Sequence, residues 1–337
     1  MQRVVIVGGG FGGLAAARAL EGAAVQVVLV DRVNHHLFQP LLYQVATAAL
    51  SPAEIAWPLR TLFRGQQNIR ITLGEVTKID RAARCVLLSE TAPIPYDRLI
   101  LAPGARHAYF GHEDWEMHAP GLKTIPDALE QAQQAGDAQR ASDYLTFVIV
   151  GGGPTGVELA GALMEIGRRA MAPDFPVLHR AEFRVILIEG GGRILEAFPP
   201  DLSGKAQTAL EALGVTVMVN CRVHDVTGQG VLAGAQFIRT ANVLWAAGNI
   251  ASPILRSLDV PLDQTGRVRV ERDLSLPGDP WTFVIGDAAH CESPEGRALP
   301  GVAPVAMQEG RYVAGLIAHD IRKEHRRFFR YRDRGML

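Results

Sequence analysis

An uninterrupted apolar run near the start of the chain leads into a glycine-rich turn and then into a helix-forming segment. Residues 3–7 read RVVIV, residues 8–13 read GGGFGG, and residues 14–20 read LAAARAL. Such a run is typical of a strand that is buried on both faces of a parallel sheet. The pattern therefore predicts a strand, a tight turn and a helix in direct succession.

The glycine spacing in this turn suits a phosphate-binding site. Gly8 permits a tight turn, Gly10 lets the backbone approach a pyrophosphate, and Gly13 allows the helix to pack closely on the strand. A second apolar run ends at Asp31, 18 residues after Gly13, close to the roughly 20 expected for an acid that binds an adenosine ribose. An ordinary helix-capping turn is the alternative, but the strand, the helix and the terminal acid together favour a bound dinucleotide.

A second copy of this pattern lies in the middle of the chain. The apolar residues 145–150 precede a turn with glycines at 151, 153 and 156 and a helix-forming segment. A further apolar run ends at Glu189, 33 residues after the last of these glycines. Because this spacing exceeds the usual one, we expect a surface extension over residues 167–182.

Two such turns imply that two dinucleotides are held at once. A dehydrogenase with a small substrate needs only one, so two suggest that electrons pass between a nicotinamide and a flavin. A carboxylate at Glu189 would bond both ribose hydroxyls of NADH, whereas the 2′-phosphate of NADPH would place like charges together at a cost of about 1 to 4 kcal/mol. NADH is therefore expected, with Arg193 as the residue that would instead favour a phosphate.

The remaining apolar runs divide the chain between two nucleotide-binding units. Runs at 68–76, 85–88 and 96–104 predict strands that make a small antiparallel excursion within the first unit, and residues 122–141 predict a helix. The run WTFVIGD at 281–287 predicts that the chain returns to the first unit. We therefore expect an α/β fold with two Rossmann-like domains, of which the flavin domain is discontinuous (1–117 and 250–337) and the NADH domain spans 118–249.

Composition excludes several other classes of protein. The chain has 337 residues, 48% of them apolar, and a formal net charge of −1, which suits a soluble globular protein and gives no reason to expect a nucleic-acid partner. The first strand begins almost at Met1 and no apolar run is long enough to cross a bilayer, so a cytoplasmic location is expected. Cys85, Cys221 and Cys291 form no close pair, and the adjacent His35 and His36 are poor metal ligands, so neither a redox dithiol nor a metal is expected.

Several longer motifs resemble one family. They are NHHLFQPLLYQVA at 34–46, YFGH at 109–112, WAAG at 245–248, IGDA at 285–288 and LPGVAPVAMQ at 299–308. Together they resemble the type II NADH:quinone oxidoreductases, the single-subunit, non-pumping NADH dehydrogenases among the flavoproteins with two dinucleotide-binding domains. The resemblance runs from Arg3 to about Gly335 and implies a glutathione-reductase-like fold.

The resemblance implies which residues bind the two cofactors. It places the ADP half of FAD at the first glycine turn, the ribityl chain at Asp287 and the isoalloxazine beside residues 39–42, where related enzymes carry reactive cysteines. Because no sulfur is available there, the reduced flavin would pass its electrons to an external quinone. The implied FAD residues are Gly8, Gly10, Phe11, Gly12, Gly13, Asp31, Arg32, Gln39, Pro40, Leu41, Leu42, Val76, Ala102, Gly104, Gly286, Asp287 and Ala303, and the implied NADH residues are Gly151, Gly153, Pro154, Thr155, Gly156, Glu189, Ala247 and Gly248.

The resemblance also implies two catalytic residues. Glu158 would couple hydride and proton movements, although a helix N-terminal acid is the plainer interpretation. Gln308 would contact a quinone carbonyl or the flavin edge, although a solvated helix face would also explain it. Relatives often read A-Q-x-x-x-Q here, whereas this chain has Pro304 at the first glutamine position. The helix that begins near Pro304 would direct its positive end toward the reduced flavin.

Partners and rival functions follow from the same resemblance. A small-molecule quinone is the expected acceptor, and relatives continue beyond the position of Leu337 into an amphipathic region that would hold the full-length protein at the inner face of the cell membrane. The basic, aromatic run at 322–334 is compatible with anionic lipid or with a solvated strand edge, and a homodimer is compatible with the sequence. Two alternatives stay open: a soluble reductase that uses a ferredoxin, a dye or oxygen, and a flavoprotein that senses NADH as an interaction module.

Overall fold

The structure is a computed structural model that describes residues 1–38, 41, 50–119, 138–174, 183–319 and 325–333. The predicted α/β class is confirmed, because parallel strands and helices form the core of each of two compact units. The strands in chain order are β1 Gln2–Val7, β2 Val25–Asp31, β3 His35–Leu37, β4 Ala56–Pro58, β5 Ile69–Leu73, β6 Val76–Asp80, β7 Cys85–Leu88, β8 Ile94–Pro95, β9 Arg98–Leu101, β10 Ala105–His107, β11 Thr146–Val150, β12 Arg184–Ile188, β13 Thr216–Met218, β14 Val223–Thr227, β15 Gly230–Ala233, β16 Gln236–Arg239, β17 Asn242–Trp245, β18 Asn249–Ala251, β19 Val268–Arg269, β20 Ser275–Leu276, β21 Asp279–Val284 and β22 Ala289–His290.

Helices connect and cover these strands. The α-helices are α1 Phe11–Ala19, α2 Pro52–Ile55, α3 Leu59–Leu62, α4 Ala138–Leu145, α5 Pro154–Asp174, α6 Pro200–Leu213 and α7 Ala303–Ala318. Short 3₁₀ helices span Glu113–Met117, Pro253–Leu258 and Gly286–Ala288. Among the helices that can be described, none is long and apolar enough to span a membrane.

The first unit comprises residues 1–37, 56–106 and 249–337. Its sheet has the order β20-β21-β9-β1-β2-β5, with β20 antiparallel and the other pairings parallel. Successive side chains of β1 point to opposite faces, so Val4 and Ile6 pack with α1 and α7 while Val5 and Val7 pack on the other side. Both faces are buried, which explains why β1 reads as a continuous apolar run.

The antiparallel excursion in this unit is smaller than predicted. The strands β6, β7 and β8 do form an antiparallel sheet. However, the run predicted as one strand over 68–76 is split, because β5 joins the edge of the main sheet in parallel with β2 and only β6 enters the excursion. The run predicted over 96–104 forms β9, which lies inside the main sheet in parallel with β1 and β21. Gly74 lies between the two strands, and its backbone N–H donates to the Asp31 carbonyl.

The second unit comprises residues 38–55 and 107–248. Its sheet has the order β13-β12-β11-β17, and all its pairings are parallel. Phe147 and Ile149 of β11 pack with α5 and α6, whereas Val148 and Val150 pack with the antiparallel strands β14 to β16. The unit therefore repeats the layered plan of the first one.

The surface extension predicted for the second unit needs correction. The surface extension predicted over 167–182 begins as helix, because α5 continues to Asp174, and Gly167 is buried with Phe183 2.2 Å from the place a Cβ would occupy. Residues 175–182 lie outside the described part, as does the helix predicted over 122–141 except for its last residues, which belong to α4. The units divide at 106 and 248, whereas 117 and 249 were predicted; the domain boundaries stay a prediction.

The C-terminal segment, residues 325–333, packs on the first unit. The buried Arg326 guanidinium lies 2.8 Å from the Asp273 carboxylate and donates to the Pro280 carbonyl at 2.8 Å. Phe329 joins the core beside α7, and the Tyr312 hydroxyl donates to the Arg327 carbonyl. The segment is thus attached by an ion pair, a core side chain and backbone hydrogen bonds.

Candidate dinucleotide-binding sites

The first glycine turn has a backbone that other residues cannot adopt. Gly8 has a φ of +103°, and a Cβ there would lie 2.1 Å from the Ala102 carbonyl oxygen at the end of β9. A Cβ at Gly13 would lie 1.9 Å from the Gly8 carbonyl oxygen. These contacts bring α1 close against β1, as the spacing of the glycines predicted.

Gly10 differs from these two glycines because the space where a Cβ would lie is open. No heavy atom lies within 4 Å of the place a Cβ would occupy, and Gly10 directly precedes α1. The backbone N–H groups of a helix N-terminus attract anions, and here a phosphate can reach them without meeting a side chain. The geometry fits the pyrophosphate of a dinucleotide.

Asp31 closes the turn from the next strand. Its Oδ2 accepts a hydrogen bond from the Gly9 N–H at 2.5 Å, and its Oδ1 accepts one from the Val33 N–H at 2.8 Å. A cavity of about 570 Å³ opens beside it at the ends of β1 and β2. Four of the residues predicted for FAD line that cavity, namely Gly8, Asp31, Arg32 and Val76.

His36 has a structural place in this turn. It is buried, its Nδ1 donates to the Gly9 carbonyl at 3.1 Å, and its ring packs edge-on against Phe11. Burial lowers the pKa of His36, so its neutral form is favoured. Among the residues whose positions are described, no cluster of His, Cys, Asp and Glu is suited to a metal ion.

A second turn meets the same edge of the sheet. β21 runs parallel to β9 and ends at Val284, two residues before Gly286, whose φ is +67°. The carboxylate of Asp287 is half-buried, burial raises its pKa, and no hydrogen bond to it is found in the described chain. A desolvated acid without a hydrogen-bond donor from the described residues fits the hydroxyl groups of a ribityl chain.

The second glycine turn repeats the geometry of the first. A Cβ at Gly151 would lie 2.6 Å from Ala246 backbone atoms, a Cβ at Gly156 would lie 1.9 Å from the Gly151 carbonyl oxygen, and the side of Gly153 is open. Glu189 takes the place of Asp31, since its Oε2 accepts a hydrogen bond from the Gly152 N–H at 2.7 Å. Both turns are therefore closed by the acid that ends the following strand.

Two neighbours define the surroundings of Glu189. Its Oε1 accepts a hydrogen bond from the Gly191 N–H at 2.6 Å. Arg193, the residue that would favour a phosphate, donates instead to the Glu196 and Phe198 carbonyls at 2.7 and 3.2 Å. Its guanidinium is thus held by its own loop, which favours NADH over NADPH at this turn.

Other predicted NADH residues lie at the ends of β11 and β17. Pro154 and Thr155 are exposed at the start of α5. The Trp245 indole N–H donates to the Ala247 and Ala108 carbonyls, and Gly248 follows with a φ of +74°. The turn after β17 is therefore fixed by a buried tryptophan.

The two predicted catalytic residues have different surroundings. Glu158 is exposed on α5, yet its partial burial raises its carboxyl pKa. Gln308 on α7 binds the C-terminal segment, because its Nε2 donates to the Arg332 carbonyl at 2.9 Å and its Oε1 accepts from the Arg332 N–H at 3.0 Å. The second N–H and the second oxygen lone pair of this amide stay open, and the role of Gln308 toward a quinone stays a prediction.

Of the remaining predicted residues, some lie within the described part of the chain and some lie outside it. Ala102 and Gly104 follow β9, and Ala303 is the first residue of α7. Leu41 is described as part of a short helical turn, whereas Gln39, Pro40 and Leu42 lie outside the described residues. Arg106 and Ser252 line the cavity beside Asp31 but were not predicted, because nothing in their local sequence distinguishes them.

Comparisons with known proteins agree with this geometry. The family model described as pyridine nucleotide-disulphide oxidoreductase matches residues 2–310. A type II NADH:quinone oxidoreductase of Mycobacterium tuberculosis is 41% identical over all of this chain and 77% of its own length. A demethylphylloquinone reductase of Synechocystis is 31% identical over 93% of this chain and 78% of its own length.

Solved structures agree on the fold. The structure of NDH2 from Plasmodium falciparum in complex with NADH matches 94% of this chain and 83% of its own with a TM-score of 0.84, at 18% identity. At 18% identity this match shows only that the two proteins share a fold. The family model and the relative from Mycobacterium tuberculosis, in contrast, match the amino-acid sequence of this chain. The chain therefore belongs to the pyridine nucleotide-disulphide oxidoreductase family and, within it, to the type II NADH:quinone oxidoreductases.

Proposed function

We propose that this chain oxidises NADH with the help of FAD and reduces a quinone, without pumping protons. The observation that supports this most is the pair of open glycine turns, each closed by the acid at the end of the next strand. When bound, FAD would accept a hydride from NADH and release two electrons to the quinone. The turn at Gly10 would hold FAD and the turn at Gly153 would hold NADH.

The residues around the first turn support a role in electron transfer. α7 carries no acidic residue in its first turn and has Pro304 near its start, so its positive end favours negative charge nearby. The three cysteines are free, and burial raises the pKa of the Cys291 thiol to about 12. A thiol that stays protonated is a poor nucleophile, which favours an external acceptor over an internal disulfide.

Anaerobic titration of the FAD-loaded protein with NADH tests this proposal. NADH is expected to bleach the flavin absorbance, and a short-chain quinone added afterwards is expected to restore it. Flavin that stays oxidised with NADH contradicts the first half of the cycle. Reduced flavin that quinones leave unoxidised, but a ferredoxin or oxygen reoxidises, contradicts the second half.

The choice of nicotinamide depends on Glu189. The variant Glu189→Gln keeps an oxygen for the Gly152 N–H and removes the charge that would repel the 2′-phosphate of NADPH. We expect kcat/KM for NADPH relative to NADH to rise at least about tenfold, which corresponds to about 1.4 kcal/mol. Steady-state kinetics with both nucleotides measure this ratio.

A control separates this local effect from a general change in charge. Glu211 is an exposed acid on α6 of the same unit, hydrogen-bonded to Gln207. Glu211→Gln removes the same charge and should leave the ratio of the two nucleotides unchanged. Equal ratios in Glu189→Gln and the unaltered protein would refute the assignment of Glu189.

We also propose contact with the cytoplasmic membrane surface and assembly as a homodimer. The exposed side chains of Arg327, Phe328 and Arg330 in the C-terminal segment support the first, since basic and aromatic groups suit an anionic lipid surface. Co-sedimentation with anionic vesicles tests membrane contact, and sedimentation equilibrium tests the dimer.

A further inference from the structure

Glu309 is a buried acid that the proposed reaction does not use. It lies in the middle of α7, is 1% exposed, and follows Gln308 directly. Its Oε2 accepts a hydrogen bond from the Gly286 N–H at 2.6 Å. No ion pair to Glu309 is found in the described part of the chain, so this carboxyl group is buried without a compensating cation.

The bond to Gly286 anchors a turn of unusual backbone. Gly286 has a φ of +67°, and a Cβ there would lie 3.2 Å from the Ala306 Cβ. Ala306 and Glu309 are three residues apart and therefore share one face of α7. The Gly286–Asp287 turn thus rests on this face, with Glu309 supplying its hydrogen bond.

The same face of α7 also meets the first glycine turn. A Cβ at Gly310 would lie 2.4 Å from the Gly12 carbonyl oxygen, and a Cβ at Gly12 would lie 3.3 Å from the Ala306 carbonyl oxygen. Close packing of α7 against the start of α1 therefore fixes the Gly286–Asp287 turn relative to the pyrophosphate cradle at Gly10.

Burial and the nearby negative charge of Asp287 disfavour the ionised form of Glu309. Burial raises the pKa of Glu309 to about 8; the Gly286 hydrogen bond opposes the shift and the negative charge of Asp287 adds to it. Cys291 is the other titratable neighbour, and its own raised pKa keeps it a neutral thiol. In α1, which packs against α7, Arg18 is the only ionisable residue. The positive charge of Arg267 lowers the pKa of Asp287 and so partly opposes the effect of burial on that residue.

We propose that Glu309, in its neutral form, is the positioning residue that holds the Gly286–Asp287 turn for FAD, and that its ionisation weakens FAD binding at alkaline pH. This inference rests on the proposed function only in taking FAD as the ligand of the first unit. An ionised Glu309 adds a second negative charge beside Asp287, close to where the cofactor phosphates bind, and that charge repels them.

The sign of the pH effect follows from linkage. FAD binds the protein with neutral Glu309 more tightly, so bound FAD raises the pKa of Glu309 further. The dissociation constant of FAD should therefore be level below pH 8 and rise above it, by up to about tenfold per pH unit.

Titration of the flavin-free protein with FAD between pH 6.5 and 9.5, followed by flavin fluorescence, tests the proposal. Glu309→Gln keeps an oxygen acceptor for the Gly286 N–H but cannot ionise. We expect it to bind FAD within about threefold of the unaltered protein at pH 7 and to lose the alkaline rise. Glu309→Leu lacks the acceptor and should bind FAD more weakly than Glu309→Gln at every pH.

A matched control and the contrary outcomes complete the test. Glu292 is an exposed acid one residue beyond Cys291, and Glu292→Gln should retain the alkaline rise. Binding by Glu309→Gln that weakens above pH 8 as in the unaltered protein overturns the inference, and this variant decides the question even if Glu309→Leu fails to fold. A protein that binds no FAD at any pH overturns the proposed function as well.

Discussion

Gly13→Ala is expected to yield protein without bound FAD, with an affinity for FAD reduced at least about 100-fold. The new methyl group would lie 1.9 Å from the Gly8 carbonyl oxygen, so α1 and the turn must move apart and the helix N-terminus no longer faces the pyrophosphate. The ratio of flavin to protein after purification, and a titration with added FAD, measure the loss.

Two further glycine variants show whether this loss is specific. Gly10→Ala places a methyl group where no protein atom lies within 4 Å, so its melting temperature without FAD should match the unaltered protein while FAD binding still falls. Gly156→Ala produces the same clash in the second unit, so it should retain FAD but resist reduction by NADH. If Gly13→Ala and Gly10→Ala both bind FAD normally, the first turn is not the FAD site.

Arg326→Met is expected to lower the free energy of unfolding by about 3 to 5 kcal/mol at pH 7. The variant keeps most of the side-chain volume but leaves the buried Asp273 carboxylate without its cation. Burial alone would raise the pKa of Asp273, but hydrogen bonds from Ser275 and Arg326 outweigh it and hold this pKa below its ordinary value. Urea denaturation measures the difference.

The pH dependence distinguishes this ion pair from simple packing. Because the pKa of Asp273 is lowered by folding, its stabilising contribution is complete above pH about 4 and is lost as the pH falls through the folded-state pKa. The difference between Arg326→Met and the unaltered protein should therefore shrink toward pH 3. Arg327→Met, at the exposed neighbouring position, should change stability by less than about 0.5 kcal/mol. A deficit that does not vary with pH would contradict the electrostatic explanation.

The parts of the fold that could be predicted from sequence are those with local causes. A strand buried on both faces must be continuously apolar, and a turn in which Gly8 meets the Ala102 carbonyl admits only glycine. Both requirements leave a mark in the local sequence, so the two strand-turn-helix units and their closing acids, Asp31 and Glu189, could be predicted.

The parts that could not be predicted depend on contacts between distant segments. Glu309 appears in the sequence as one more helix acid, and only the packing of α7 shows that its partner is the Gly286 N–H. The pairing of Gln308 with Arg332 likewise joins residues 24 positions apart. The helical course of residues 167–174 could not be predicted from the long spacing before Glu189, because it depends on a distant contact: the missing side chain of Gly167 makes room for Phe183.

Because the first unit is discontinuous in sequence, its segments are synthesised at different times. β1, α1 and β2 leave the ribosome first, at about 5 to 20 residues per second. The helix that covers Gly12 of α1, however, ends at Ala318 and emerges only after both segments of the second unit, residues 38–55 and 107–248, have been translated. The nascent N-terminal half must therefore keep an apolar helix face uncovered for most of translation, and a stalled chain that lacks α7 leaves the first glycine turn without the helix that packs against it.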